Sequence, residues 1–144
     1  MIARERIGRI GVEDKEGIIY SGVLAEPFGC ADREESMIYE MRIYDAIPGK
    51  LPALNDRFAH TAVPLFAKHG IKAVGFWTTY IGPSANTLTY ILAWENLGER
   101  QRCWDAFQAD PEWLAAKAES EKDGPLIERA QSLILKPTEY SSLQ

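Results

Sequence analysis

From Met37 onward, short runs rich in β-branched and aromatic residues alternate with runs of helical period, in the order strand, helix, strand, strand, helix, strand. No other feature restricts the fold of this chain as much. Met37 to Tyr44 reads as the first strand, and Pro48-Gly49 ends it. A helix follows with Pro52 in its first turn, where a missing N–H costs nothing. Leu51, Leu54, Phe58, Thr61 or Ala62, and Leu65 form its apolar stripe, and Gly70 is placed to terminate it after Lys68 or His69. Pro64 lies inside this pattern. It removes one backbone donor and crowds the turn before it, so a kink is predicted near His60. Ile71–Ile81 and Thr87–Glu95 read as the second and third strands, joined by the loop Gly82 to Asn86. Asn96 then caps a helix with Glu99 at the capping-box position and Leu97, Arg100, Trp104 and Phe107 as its stripe. Asp110-Pro111-Glu112-Trp113 repeats the start signal, and Gly124-Pro125 stops the second piece. A fourth strand falls within Ile127–Lys136, and a polar, loose tail begins at Pro137. The order predicts an α+β, ferredoxin-like βαββαβ domain whose four-stranded antiparallel sheet carries its helices on one face.

The strands do not alternate as a half-solvated sheet should. The third offers Leu88, Tyr90, Leu92 and Trp94 to one face and Ile91 and Ala93 to the other. The second offers Ile71, Ala73 and Trp77 against Val74, Phe76 and Tyr80. Helices cover one face only, and a bare apolar face is rarely tolerated by a soluble monomer. A homodimer pairing two sheets is the expected solution. Residues 1–36 fit this plan poorly. They read as an N-terminal extension with two short strands around Glu13-Asp14-Lys15-Glu16, upstream of a domain spanning residues 37–140.

The net charge of -5 and the absence of any Lys/Arg run argue against nucleic acid or an acidic membrane as partner. No apolar stretch spans a bilayer, and Ile7 to Val12 is too broken for a signal-peptide core, so a cytoplasmic location is expected. Cys30 and Cys103 form no C-x-x-C pair and read as free thiols. His60 and His69 are too few for a three-histidine metal site and too far apart for a ligand pair on one helical turn, so no metal is expected. Dinucleotide, P-loop, zinc-protease and serine-hydrolase motifs are absent, and no cofactor is implied.

The quoted segments, taken together, resemble the NIPSNAP family of the dimeric α/β-barrel group. The resemblance rests on Ile38-Tyr39-Glu40-Met41-Arg42-Ile43-Tyr44, Pro48-Gly49-Lys50, Lys68-His69-Gly70-Ile71, Val74-Gly75-Phe76-Trp77-Thr78-Thr79, Gly82, Trp94 and Asp110-Pro111-Glu112-Trp113. It implies the same fold and a homodimer. It implies little chemistry, because the wider group includes cofactor-free monooxygenases, haem-degrading enzymes and small-molecule binders, and a fold does not select among them.

The candidate site is therefore argued from residue types. His60 stands off its helix stripe near the expected kink and is the candidate acid or base, set against an ordinary exposed polar residue. His69 at the helix end reads as a capping residue favoured by the dipole. Glu40 and Arg42 share one face of the first strand, either as a buried pair able to orient an anionic ligand or as a solvated one. Trp77, Tyr80, Tyr90 and Trp94 are aromatic-pocket candidates, set against plain core packing. The site expected in a sheet–helix cleft is Arg42 as anion anchor, Trp77 and Trp94 as flat walls, and His60 as the catalytic group. Two functions compete. One is binding of, or cofactor-independent catalysis on, a small apolar or aromatic molecule. The other is a non-catalytic homodimeric interaction module.

Overall fold

A computed structural model describes residues 37–144. The expected hairpin before Met37, and Cys30 with it, lie outside the described residues. The elements are β1 (Ile38–Ala46), α1 (Leu51–Arg57), a π-helical turn (Phe58–Ala62), α2 (Val63–Lys68), β2 (Lys72–Thr78), β3 (Thr87–Trp94), α3 (Leu97–Gln108), α4 (Pro111–Ser120) and β4 (Ile127–Leu135). The strands form one antiparallel sheet in the order β2-β3-β1-β4. This is the βαββαβ arrangement that the strand and helix order requires.

The kink expected from Pro64 takes the form of the π turn. Proline has no N–H for the carbonyl one turn back, and its ring crowds that carbonyl. The helix widens there. The Val63 N–H bonds the Phe58 carbonyl, five residues back. Gly70, at φ +72, then closes the helix, with the Ile71 N–H on the Phe66 carbonyl at 2.8 Å.

Asn96 caps α3 by accepting from the Glu99 N–H at 2.8 Å. The Glu99 carboxylate reaches back to the Glu95 N–H at 2.6 Å, one residue before the reciprocal bond of a capping box. Asp110 caps α4 through the Glu112 N–H at 2.8 Å and also binds Lys68 and His69, each at 2.7 Å. Lys68, His69 and the Glu112 amide hold the Asp110 carboxyl well below the usual carboxylate range. The His69 side chain thus ties the end of α2 to the start of α4, while its backbone N–H bonds the Leu65 carbonyl of its own helix at 3.0 Å.

The core lies between the sheet and the helices. Leu88, Tyr90, Leu92 and Trp94 of β3 are buried there with Leu54, Phe58, Leu65, Phe66 and Phe107. Two details depart from the sequence pattern. A bulge between Ala73 and Gly75 switches the parity of β2, so Ala73 pairs with buried Leu92 while Trp77 pairs with Thr89 on the open face. Leu97, in the expected α3 stripe, is exposed in the first turn. The tail after Pro137 returns to the sheet at Tyr39, whose hydroxyl donates to the Gln144 carbonyl at 3.3 Å.

Candidate functional site

Strand β1 sends Glu40, Arg42 and Tyr44 toward the helices, and Tyr39, Met41 and Ile43 to the open face; the register with β3 sets Glu40 opposite Leu92 and Tyr44 opposite Leu88. Glu40 is fully buried, and its carboxylate is saturated. Oε1 accepts from Arg42 Nη1 at 2.7 Å, Arg100 Nη2 at 2.8 Å and Ser132 Oγ at 2.7 Å. Oε2 accepts from Arg100 Nε at 3.0 Å and Trp94 Nε1 at 3.2 Å. Burial alone would raise its pKa. The bonds from Arg100, Ser132 and Arg42 outweigh that and bring it down to about 2. The group is therefore an anion at any ordinary pH.

Arg42 carries this network to a cavity. Its Nε donates to the Tyr44 hydroxyl oxygen at 3.1 Å, and its guanidinium carbon lies 4.3 Å from the centroid of the Trp104 ring. The Tyr90 hydroxyl bonds that of Tyr44 at 2.9 Å. Burial, and Tyr44 beside it, push the Tyr90 pKa well above the ordinary phenol value against the pull of Arg42.

The cavity itself has a volume of about 390 Å³, within the range of small-molecule sites. Arg42, Tyr44 and Tyr90 line it from the sheet, Phe58 and Ala62 from the widened π turn, and Trp104, Phe107 and Trp113 from α3 and α4. Arg57 also contributes. Its Nη1 bonds Glu121 at 2.7 Å and Ser120 at 3.1 Å, and its guanidinium carbon sits 5.3 Å from the Trp113 centroid. Among the described residues no cluster of His, Cys, Asp and Glu is able to hold a metal ion. No helix of the described residues is long and apolar enough to cross a membrane.

A profile of the NIPSNAP family matches residues 39–142. The chain belongs to the NIPSNAP family. A crystal structure of a NIPSNAP family protein of unknown function from Agrobacterium tumefaciens strain C58 is similar, with 30% identity and a TM-score of 0.68 over 78% of this chain and 97% of that one. An uncharacterised NIPSNAP-like domain protein from Burkholderia xenovorans shares 29% identity, with a TM-score of 0.66 over 74% and 90% of the two chains. A further NIPSNAP family protein from the same Agrobacterium strain shares 26% identity, with a TM-score of 0.67 over 75% and 99%. None of the curated proteins matches the chain.

In this NIPSNAP domain the four residues grouped from the sequence are not brought together. Arg42 is the one of them that lines the cavity. His60 lies in the π turn with its side chain 76% exposed, its Nδ1 3.0 Å from the Asp56 carbonyl oxygen in a hydrogen bond and 3.1 Å from the Asp56 carboxylate. Trp94 is on the helix side of the sheet, but its indole N–H is taken by Glu40. Trp77 is half exposed on the opposite face, set there by the β2 bulge, with its ring where a Cβ on Gly75 would stand. Of the other candidate aromatics, Tyr90 lines the cavity and Tyr80 is almost fully exposed.

Sequence reasoning missed Tyr44, Arg57, Trp104 and Trp113 as cavity residues. A signal was present for two of them. Tyr44 continues the Glu40, Arg42 alternation on one strand face. Arg57 stands three residues after Leu54, on the buried stripe of α1, where an arginine needs a reason.

Proposed function

We propose that this NIPSNAP protein takes up a small, mostly apolar or aromatic molecule in the sheet–helix cavity, as a binder or a cofactor-independent enzyme, with Arg42 as the residue that anchors it. The observation that carries this reading is the cavity: an arginine held by a buried carboxylate, two bonded tyrosines and aromatic walls line a half-open space of ligand size.

The same proposal has the protein act as a homodimer in the cytoplasm. The dimer is supported by the open sheet face, where Tyr39, Met41, Ile43, Ile91, Trp77, Leu133 and Leu135 stand on neighbouring strands. Burying such a patch against a second copy contributes roughly 25 cal/mol per Å² before association costs. The cytoplasmic reading rests on the sequence, whose two cysteines, Cys30 and Cys103, form no C-x-x-C pair.

The test is a thermal-shift screen of the purified protein against small metabolites, repeated on Arg42→Ala. A ligand that stabilises the wild type by mass action and fails to stabilise the variant is expected. A broad screen without a single stabilising compound, on a dimer that is otherwise intact, would favour the interaction module instead.

A further inference from the structure

The cavity carries an electrostatic bias that its aromatic walls do not explain. The chain as a whole is acidic, at -5. The cavity lining nonetheless holds Arg42 and Arg57, with Lys117 exposed to solvent, against one anion, Glu121, which Arg57 already pairs. Behind Arg42 the balance is no better. Fully buried Glu40 pairs with Arg42 and also with Arg100, two positive charges against one negative. An excess positive charge at a largely buried site costs free energy unless something compensates it.

The hydrogen-bond accounts point the same way. Arg42 uses Nε on Tyr44 and Nη1 on Glu40; its Nη2 has no partner among the described residues. Tyr44 and Tyr90 share one hydroxyl–hydroxyl bond while Arg42 donates to the Tyr44 oxygen. Two hydroxyl protons serve one bond, so one proton is left over whichever tyrosine donates. Buried polar groups are normally paired, and the lining breaks that rule at Arg57 Nε and Trp113 Nε1, both buried without a partner among the described residues.

Building on the small-molecule reading above, we propose that the ligand is an organic acid whose carboxylate is held by Arg42 Nη2 and the spare hydroxyl proton of the Tyr44–Tyr90 pair, with its apolar or aromatic body against Trp104 and Phe58. Two unused donors beside one another match the two oxygens of a carboxylate. A phosphate or sulfate would bring more oxygens than this end of the cavity has donors to meet. Glu40 acts as a positioning residue: it fixes the Arg42 fork from behind and leaves one edge of it to the ligand.

The experiment uses matched probes on the full chain. Titration of 3-phenylpropionate, 3-phenylpropionamide and inorganic sulfate is followed by intrinsic fluorescence, since Trp104 and Trp113 line the cavity. The acid should bind saturably and at least about tenfold more tightly than the amide, with sulfate weaker than the acid. Arg42→Gln should cut acid affinity about tenfold or more and leave amide affinity within about twofold. Circular dichroism establishes that the variant is folded, and the wild-type acid-to-amide ratio tests the proposal without any variant. Equal binding of acid and amide would overturn the carboxylate assignment while leaving the apolar-ligand reading standing. Sulfate binding as tight as the acid would overturn the choice of carboxylate. Binding of neither organic probe would overturn this proposal, and the metabolite screen then decides the fate of the broader reading.

Discussion

The two faces of strand β1 invert the usual rule for a sheet. On the helix side, where apolar residues are expected, it buries Glu40 and Arg42. On the side without helices it shows Tyr39, Met41 and Ile43. The helix side tolerates its charges because each has specific partners: five donors serve the two oxygens of Glu40. The open side has apolar groups and nothing among the described helices to cover them. A buried charge with a full set of bonds marks where the molecule fixes geometry, and an apolar face that no described helix covers is where the proposed second copy would pack.

The largest effect should come from breaking the helix side. Glu40→Ala removes the acceptor of two arginines, a tryptophan and a serine at once, and strands the arginine charges. Loss of one partner of a buried ion pair typically costs about 3–5 kcal/mol. Urea unfolding should show a loss of that order. A variant within about 1 kcal/mol of wild type would mean that the network is dispensable, and that the two faces differ less than they look.

The open side should respond in association and much less in folding. Met41 lies on the central strand between Ile91 and Leu133. Met41→Arg places a charge in the middle of the proposed interface. Light scattering should show wild type at twice the chain mass and the variant at the chain mass, with circular dichroism unchanged. A wild-type monomer that stays folded and soluble would remove the partner from the argument.

The pH dependence sharpens the contrast further, because the helix side holds the fully buried carboxylate of Glu40. The pKa of Glu40 falls from 4.5 to about 2 on folding. A lowered folded-state pKa contributes stability that is fully present above the unfolded value. That stability is lost as pH falls from about 4.5 through about 2. Asp110, depressed by Lys68 and His69, acts in the same direction. Thermal melts between pH 6 and pH 2 should therefore decline toward acid, and Glu40→Gln should show a shallower decline. Equal slopes in the two proteins would assign the acid sensitivity to Asp110 and other carboxylates.

The fold was legible because its signals are local and repeated. Pro52, Gly70, Asn96, Asp110 and Pro111 each act within one turn, and apolar spacing supplies the rest. The family was legible for the same reason, in segments that keep their order. The site was legible in part. The Glu40, Arg42 alternation exposed the polar face of β1, but which face meets the helices depends on tertiary packing. The bulge after Ala73 inverted the facing of Trp77, a one-residue event that an alternating pattern cannot register. Trp104 and Trp113 reach the cavity from α3 and α4, whose approach to β1 is set by long-range packing and not by spacing along the chain.

The smallest effect is expected at His60, and it separates chemistry suggested by residue type from chemistry supported by place. A histidine near a helical irregularity is a reasonable candidate acid or base, and the π turn is indeed there. Its imidazole, however, is turned outward, three-quarters exposed, and engaged with Asp56 one turn earlier on the same helix. An exposed pair of this kind contributes roughly 0–1 kcal/mol. It does not line the cavity that holds Arg42, Tyr44 and Tyr90. His60→Ala should therefore change unfolding free energy by no more than about 0.5 kcal/mol. It should also leave the affinity for 3-phenylpropionate within about twofold of wild type, where Arg42→Gln loses it. If His60→Ala instead abolished binding while the protein stayed folded, the helix would have to turn that face inward when a ligand arrives. The functional surface would then extend from the sheet side of the cavity to the outer side of the π turn.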